Sequence, residues 1–286
     1  MLIDYHMHLQ PDGPEARAAA AHRWDAHGGH LSPGWIGTYV EQAKSHAISE
    51  IAFTEHVHRF VQARDWHPNE WWKAEATEDV DAYCDALAAV RDGGEPVLVG
   101  VEMDWLPDRL DEIARFLEAR PFDVVLGSVH WIGELAVDHP DYSMWDKYDD
   151  VTIWRAYLKE LAAAAQSGLF DVLAHPDLPK VFGHQFPVEL QDELDVTVGA
   201  IADSGLAVEC SAAGLSKALR ELYPDPDLLA RFRESGVPVT LASDAHAPEH
   251  VGRDFPSAVA AIRGAGYDTL TRFSGRTPTQ VPIRWE

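Results

Sequence analysis

Short apolar runs alternate with longer amphipathic stretches along the chain, and this alternation predicts its fold. The apolar runs are mostly continuous and do not alternate with polar residues, which is typical of a parallel sheet covered on both faces. We expect strands at residues 2–8, 51–54, 96–101, 122–129, 170–174, 206–208 and 237–242. Helical spacing between them predicts a first helix that starts at Ser32-Pro33 and includes residues 36–47, and further helices at residues 79–91, 106–119, 151–166, 189–204, 225–233 and 255–265. The chain is therefore predicted to have an α/β fold with seven parallel strands.

The carboxyl ends of the predicted strands decide between a barrel and an open sheet. Each strand ends in or next to a histidine or a carboxylate. In a (β/α) barrel these ends converge on one face, where such enzymes keep their active sites, whereas an open sheet spreads them along an edge. No glycine-rich phosphate loop follows the first strand, which argues against a nucleotide-cofactor fold. We therefore predict a (β/α) barrel.

Nothing in the sequence resembles a linker between two domains, so we expect a single domain over residues 1–286. Residues 14–31 follow no strong period and are interpreted as an insertion with at most about one helical turn. The tail after Leu270 has no clear assignment.

Composition narrows the class of partner. The chain of 286 residues has 47 acidic and 23 basic residues and a net charge of −24, which argues against binding to nucleic acid or to an anionic membrane. It has no apolar run of membrane-spanning length and no signal peptide, so we expect a cytoplasmic protein. Cys84 and Cys210 are far apart in apolar surroundings, so neither a disulfide nor a cysteine-based zinc site is expected. The unusual feature is the content of 15 histidines.

Nine residues at the predicted strand ends can bind a metal ion or transfer a proton. They are His6, His8, His56, Glu102, His130, His175, Glu209, Asp244 and His246. A single histidine in such a place is more often structural. Six histidines with carboxylates on one face are hard to explain without metal, because buried imidazoles and charges need partners. Imidazole and carboxylate ligands without thiolate suit zinc, manganese or iron, and the set is large enough for two or three ions that would favour hydrolysis.

Six short motifs place these residues in a characteristic order. They are His6-Met7-His8, Phe53-Thr54-Glu55-His56, Gly100-Val101-Glu102-Met103-Asp104, Gly127-Ser128-Val129-His130, Ala174-His175-Pro176-Asp177 and Ser243-Asp244-Ala245-His246. In this order they resemble the PHP (polymerase and histidinol phosphatase) family, and most of all its histidinol-phosphatase branch, over about residues 1 to 250. The resemblance implies a distorted seven-stranded TIM-like barrel with a trinuclear metal site that hydrolyses phosphate monoesters.

The resemblance also assigns roles to individual residues. It implies a first ion on His6, His8 and Asp244, bridged by Glu102 to a second ion on His130 and His175, and a third ion on His56 and His246. Catalytic roles fall to Glu102, Asp244 and His246, around a hydroxide that attacks phosphorus between the bridged ions.

The chain departs from the family pattern after its first motif, where members often supply a further ligand to the third ion. Asp12 is the candidate here, although an aspartate before Gly13 is also a common turn residue. His22, His27 and His30 are the alternatives. Occupancy of the third site therefore stays open.

Four residues are candidates for contact with the substrate. Lys180 follows the His175 motif and is a candidate phosphate clamp, as is Arg59, although both also fit a solvated surface. His58 lies at strand spacing from His56 and is a possible substrate contact. Glu209 is expected to support the ligands or to bind substrate. The tryptophan-rich loops either wall a pocket or pack over the barrel mouth, and packing is favoured for most of their tryptophans, which are Trp66, Trp71, Trp72, Trp131 and Trp145.

The leading functional hypothesis is a metal-dependent phosphatase for L-histidinol phosphate, a small phosphorylated substrate. The first alternative is another PHP phosphoesterase, acting on nucleotide monophosphates or a different small metabolite. A non-catalytic metal-binding domain is the second, and the nearly complete ligand set argues against it. An amidohydrolase-type enzyme would usually place a lysine at a strand end, and here no predicted strand ends in lysine.

Overall fold

The computed structural model describes residues 1–284. Its strands are β1 (Ile3–Asp4), β2 (Glu50–Phe53), β3 (Val97–Asp104), β4 (Val124–Ser128), β5 (Trp131–Ile132), β6 (Leu135–Ala136), β7 (Val172–Leu173), β8 (Ala207–Ser211), β9 (Val239–Ala242), β10 (Thr269–Ser274) and β11 (Thr277–Pro282). Its helices are α1 (Pro14–Asp25), α2 (Pro33–Ser45), α3 (Glu70–Glu75), α4 (Val80–Asp92), α5 (Leu110–Glu118), α6 (Asp150–Gln166), α7 (Gln191–Ser204), α8 (Pro226–Glu234) and α9 (Phe255–Gly264).

Seven parallel strands form the central sheet, in the order β1-β2-β3-β4-β7-β8-β9. The ends of this sheet meet, because Tyr5 N donates to Leu241 O at 3.1 Å and His8 N donates to Ala245 O at 2.7 Å. The sheet is thereby nearly closed into a barrel. All residues of β2, β3, β4, β8 and β9 are buried, as expected for strands covered on both faces. The predicted distorted seven-stranded TIM-like barrel is confirmed.

The observed ends of two strands differ from the predicted ends, and both lie next to residues of the predicted site. Strand β1 has only two residues, and the chain beyond it leaves regular pairing before it reaches the first histidines. Strand β3 runs three residues past its predicted end at 101, because Glu102, Met103 and Asp104 stay paired with β4. Glu102 therefore lies inside a strand and is held from both sides, which fixes its side chain more firmly than a loop would.

Residues 14–31 contain more helix than the single turn expected. Helix α1 is rich in alanine, which has the highest helix propensity, but its apolar and polar residues do not segregate to opposite faces. The sequence pattern therefore gave no helical period. Arg17 pairs with Glu75 and Arg23 pairs with Glu249, so α1 is tied to two segments at the mouth of the barrel.

The unassigned tail forms an antiparallel hairpin of β10 and β11 that covers the amino-terminal ends of the barrel strands. Arg272 pairs with Glu50 at 2.6 Å, where β2 begins, and Arg276 pairs with Asp171 at 2.9 Å, just before β7. The backbone N–H of Gly275 donates to Asp123, just before β4, at 3.2 Å. These charge pairs, together with the buried side chains of Leu270 and Phe273, hold the hairpin to the barrel, and hydrophobic periodicity does not detect the charge pairs.

No helix within residues 1–284 combines the length and the apolar character needed to cross a lipid bilayer. The longest, α6, has 17 residues and carries charged side chains.

We expect Arg272→Ala to lower the free energy of unfolding by about 2 kcal/mol, because the buried Glu50 carboxylate would lose its charged partner. Urea denaturation measures the change. Arg155→Ala is the matched control, because its pair with Glu193 is exposed and should contribute less than about 0.5 kcal/mol. Equal losses in the two variants would show that the hairpin contact does not stabilise the barrel.

Candidate metal centre

The carboxyl ends of the barrel strands bring all nine predicted metal ligands into one cluster. The set is His6, His8, Asp12, His56, Glu102, His130, His175, Asp244 and His246. Most of these side chains are buried, while Asp12 is 51% exposed and lies at the open side of the cluster. Convergence of the strand ends on one face follows from the barrel, as predicted.

Glu102 lies at the centre of this cluster and faces two groups of imidazoles with its two oxygens. Its Oε2 lies 2.6 Å from His56 Nδ1, 3.3 Å from His6 Nε2 and 3.7 Å from His8 Nε2. Its Oε1 lies 3.0 Å from His175 Nε2 and 3.4 Å from His130 Nε2. This division of the two oxygens is the geometry that a bridging carboxylate requires.

Three groups of side chains place their ligand atoms within 4.8 Å of one another. They are His6, His8 and Asp244; His56, Glu102 and His130; and His8, His56 and His246. The first group has the composition implied for the first ion. His56 belongs to the other two groups, so the structure places it between the second and third positions and not at the third alone.

Buried atoms of the cluster lack hydrogen bonds of acceptable geometry among the described residues. They are His6 Nε2, His8 Nδ1 and Nε2, His56 Nδ1, His175 Nδ1, His246 Nε2 and Glu102 Oε2. Leaving buried polar atoms unsatisfied is costly, and such sites usually take an ion or water. Several divalent cations would satisfy those of these atoms that face the interior of the cluster, one nitrogen from each imidazole, so the residues fit a multinuclear metal site.

Two of the ligands sit on strained backbone. The φ angle is +28° at His175 and +50° at Asp244, a region that residues other than glycine rarely adopt. The strain turns both side chains into the cluster where the chain leaves β7 and β9. Next to Asp244, Ser243 N donates to the buried Asp4 Oδ1 at 2.9 Å and helps to hold this turn. Backbone strain of this kind is common at functional sites.

Glu209 and Asp104 orient the ligands from behind. Glu209 is fully buried; its Oε2 lies 2.8 Å from His6 Nδ1 and its Oε1 accepts the backbone N–H of His175 at 2.9 Å. Asp104 Oδ1 lies 2.8 Å from His130 Nδ1. Carboxylates in this position fix the tautomer and direction of a metal-binding imidazole. These contacts favour support of the ligands over substrate contact for Glu209.

Arg59 and Glu55 form a second supporting pair on the opposite side of the cluster. The buried guanidinium of Arg59 lies 2.6 Å from Asp12 Oδ1 and 3.1 Å from Glu55 Oε2. Glu55 Oε1 accepts the N–H of Leu9 at 2.6 Å, and its Oε2 lies 3.6 Å from His8 Nδ1. Arg59 therefore positions Asp12, and its burial argues against direct contact with a substrate.

The sequence reasoning gave no role to Asp104 or Glu55. Both lie within the six motifs, Glu55 directly before His56 and Asp104 close after Glu102, and this proximity was the available signal. Asp104 is two residues beyond Glu102 on the same strand, so the two carboxylates share a face.

The residue that follows the first motif and reaches the cluster is Asp12. It lies 3.4 Å from His56 Nε2 and 2.9 Å from His246 Nε2. The alternatives have other contacts in the described chain: His30 pairs with Glu78, and His22 lies against the backbone of its own helix. His27 packs on Trp35.

The two remaining substrate-contact candidates occupy different surroundings. Lys180 is buried, lies 2.6 Å from Asp177 Oδ2 and donates to Leu222 O at 2.5 Å, so its ammonium already has partners. Its role as a phosphate clamp stays a prediction. His58 is buried against His56, with ring centroids 4.7 Å apart, and burial lowers the pKa of His58 to about 4, so its ring is neutral.

Charges within the cluster control its protonation. Burial by itself lowers the pKa of His6, but the carboxylates of Glu209, Glu102 and Asp244 outweigh it and raise this pKa well above its ordinary value. At His130 burial is likewise outweighed, mainly by Asp104, and the pKa rises to about 10. Without metal these rings are therefore charged at neutral pH.

A cavity of about 290 Å³ adjoins the cluster. Asp12, His56 and His130 form its floor, and Trp71, Trp131 and His139 form its wall. The cavity gives a small molecule direct access to the cluster.

Comparison with known proteins agrees with this geometry. The PHP domain family model matches residues 31–213 of the chain. The chain belongs to the PHP domain family. It is 35% identical over 247 residues to a protein of Deinococcus radiodurans named probable histidinol-phosphatase, a match that covers 85% of this chain and 92% of that protein.

Other relatives are more distant in sequence but match over similar lengths. The histidinol-phosphatase of Lactococcus lactis is 26% identical over 252 residues, which are 83% of this chain and 87% of that protein. A solved structure of the Lactococcus lactis histidinol phosphate phosphatase, in complex with zinc, L-histidinol and phosphate, superposes with a TM-score of 0.75 at 22% identity, over 97% of this chain and 98% of that one. A putative histidinol phosphatase from Listeria monocytogenes gives a TM-score of 0.69 at 18% identity, over 89% and 99% of the two chains. Both structures share the fold.

Because the pKa values of His6 and His130 are raised, binding of divalent metal to the metal-free protein should release protons at pH 7. Charged imidazoles must lose protons before they can bind metal, so the apparent metal affinity should fall as pH falls. Calorimetric titration with Zn²⁺ in buffers of different ionisation enthalpy measures the number released. Binding without proton release would contradict the assigned ligands.

We expect Glu209→Gln to weaken metal binding by roughly 10- to 100-fold, because His6 would lose the carboxylate that orients its ring. Competition with a chromophoric chelator measures this affinity. Glu193→Gln on the exposed face of α7 is the control and should bind as the wild type does.

Proposed function

We propose that the chain is a metal-dependent phosphatase that converts L-histidinol phosphate to L-histidinol and phosphate, a step of histidine biosynthesis. The observation that carries the proposal is Glu102, which divides its oxygens between two imidazole groups, as a bridging carboxylate does. Relatives named histidinol-phosphatases that match more than four-fifths of the chain support the choice of substrate.

The cluster would hold two or three divalent ions, such as zinc, manganese or iron, on its imidazoles and carboxylates. When bound, such ions supply Lewis acidity toward phosphoryl oxygens and lower the pKa of water so that it can attack phosphorus at neutral pH. They also supply the positive charge that attracts a phosphate ester to a protein of net charge −24.

Residues of the chain fix the positions of the ligand groups relative to one another. Glu102 fixes the two imidazole groups relative to each other, and Asp244 faces His6 Nε2 at 3.6 Å and His8 Nε2 at 3.4 Å. On the open side, His246 Nε2 lies 2.9 Å from Asp12 Oδ2. With only the first two positions filled by ions, this pair borders the entrance to the cluster and can hold a proton for the departing alcohol.

The test is release of phosphate from L-histidinol phosphate, with AMP and p-nitrophenyl phosphate as comparison substrates. We expect a preference for L-histidinol phosphate, loss of activity after chelation, and recovery when Zn²⁺, Mn²⁺ or Fe²⁺ is restored. Turnover of the generic esters alone would keep the metal-dependent phosphatase and remove the substrate. Bound metal without any turnover would favour a binding domain.

Asp244→Asn and His6→Ala should each lower kcat/KM by roughly 100-fold or more, because each removes a ligand at the first group. Circular dichroism checks that the fold is retained. Asp203→Asn, an exposed position at the end of α7, is the control and should keep full activity. Wild-type activity in Asp244→Asn would exclude this residue from the metal site.

A further inference from the structure

The cavity beside the metal centre has an aromatic wall. Trp71 packs on His139 with ring centroids 4.7 Å apart and on Trp131 at 5.9 Å, and Trp131 lies stacked on His139 at 6.2 Å. Tyr142 closes the back of this wall at 5.7 Å from Trp131. These rings support one another, so the wall is preformed and presents flat surfaces to whatever enters.

Apart from the imidazoles of the metal centre, the charged groups that line the cavity are acidic. Asp12 and Asp138 are its carboxylates, and its lining includes no lysine or arginine of the described chain. Asp12 is already engaged by Arg59 and His246. Asp138, by contrast, has no side-chain hydrogen bond or ion pair to any residue between 1 and 284. It is the carboxylate that remains available to a ligand.

Backbone contacts hold Asp138 at a fixed place relative to the metal ligands. The preceding residue, Val137, donates its N–H to His130 O at 2.8 Å, so the segment is tied to a ligand of the cluster. Val137 O in turn accepts from Trp145 Nε1 at 2.8 Å. The β5–β6 hairpin leads directly into this segment and pairs Trp131 with Ala136. Asp138 lies two residues past β6, in a segment that these backbone contacts hold in place.

We propose that Asp138 binds the ammonium group of the substrate's alcohol part while Trp71 and Trp131 pack against its ring. The cavity would then select phosphate esters of small aromatic amino alcohols, a class that includes L-histidinol phosphate. This inference rests on the proposed function and assigns its specificity.

The chemistry of the lining matches this class of molecule. A carboxylate forms a charge-assisted hydrogen bond with an ammonium group, and indole faces attract cations as well as planar rings. With its phosphate on the metal ions, such a substrate would reach into the cavity with its amine and ring. The nucleoside part of a nucleotide monophosphate has no ammonium group for Asp138 to bind.

The experiment compares Asp138→Asn with the wild-type holoenzyme on two substrates, L-histidinol phosphate and its analogue without the amino group. We expect KM for L-histidinol phosphate to rise by roughly 10- to 100-fold with little change in kcat, because the lost contact is made equally in the ground and transition states. KM for the deamino analogue should change less than about twofold. Asp138→Glu should recover part of the loss.

Asp146→Asn is the matched control, since Asp146 is an exposed aspartate of the same segment, and it should leave both substrates unaffected. Metal content and turnover of p-nitrophenyl phosphate show whether Asp138→Asn keeps an intact centre. Equal effects of Asp138→Asn on both substrates, or none on either, would overturn the role of Asp138 while leaving the phosphatase in place. A wild-type enzyme that hydrolyses p-nitrophenyl phosphate but not L-histidinol phosphate would instead overturn the proposed substrate.

Discussion

The structure depends on one buried carboxylate, that of Glu102. It is 1% exposed and lies inside a strand, surrounded by imidazole nitrogens. Burial would by itself raise its pKa, but the charged rings of His56, His6 and His130 outweigh burial and hold the pKa well below its ordinary value. The carboxylate and the imidazoles therefore stabilise the charged forms of one another. Removing either would leave buried charge of one sign without a partner.

Supporting residues extend this mutual dependence outward. Glu209 and Asp104 orient imidazoles from behind, and Arg59 holds Asp12 at the entrance. These residues come from different strands and loops, so the geometry of the centre is set by the closed barrel and not by any single segment. The opposite end is held by other charges, where Arg272 and Arg276 of the terminal hairpin pair with Glu50 and Asp171. The barrel is thus tied by ionic contacts at both ends around an apolar core.

The metal centre and the cavity beside it differ in charge, which suits the binding of an anionic ester by an acidic protein. Metal ions bound to the imidazoles would supply positive charge at the floor, while the cavity above them is lined by carboxylates and aromatic rings. The two regions favour opposite charges a short distance apart. A substrate with phosphate at one end and an ammonium at the other is complementary to both, which links the proposed reaction to the proposed selectivity.

Local pattern in the sequence determined the seven parallel strands and most helices, because buried strands need continuous apolar runs and helix starts need caps such as Ser32, Asp79 and Asp225. The motifs at the strand ends also named eight of the nine clustered residues, all except Asp12, since the barrel brings such ends together. Tertiary structure decided the rest. The terminal hairpin is held by charge pairs distant in sequence, helix α1 lacks an apolar face, and β3 continues only because β4 pairs with its last residues. The partners of Lys180, the supporting role of Asp104 and the free carboxylate of Asp138 depend on contacts between separate elements, and such contacts follow no local period along the chain.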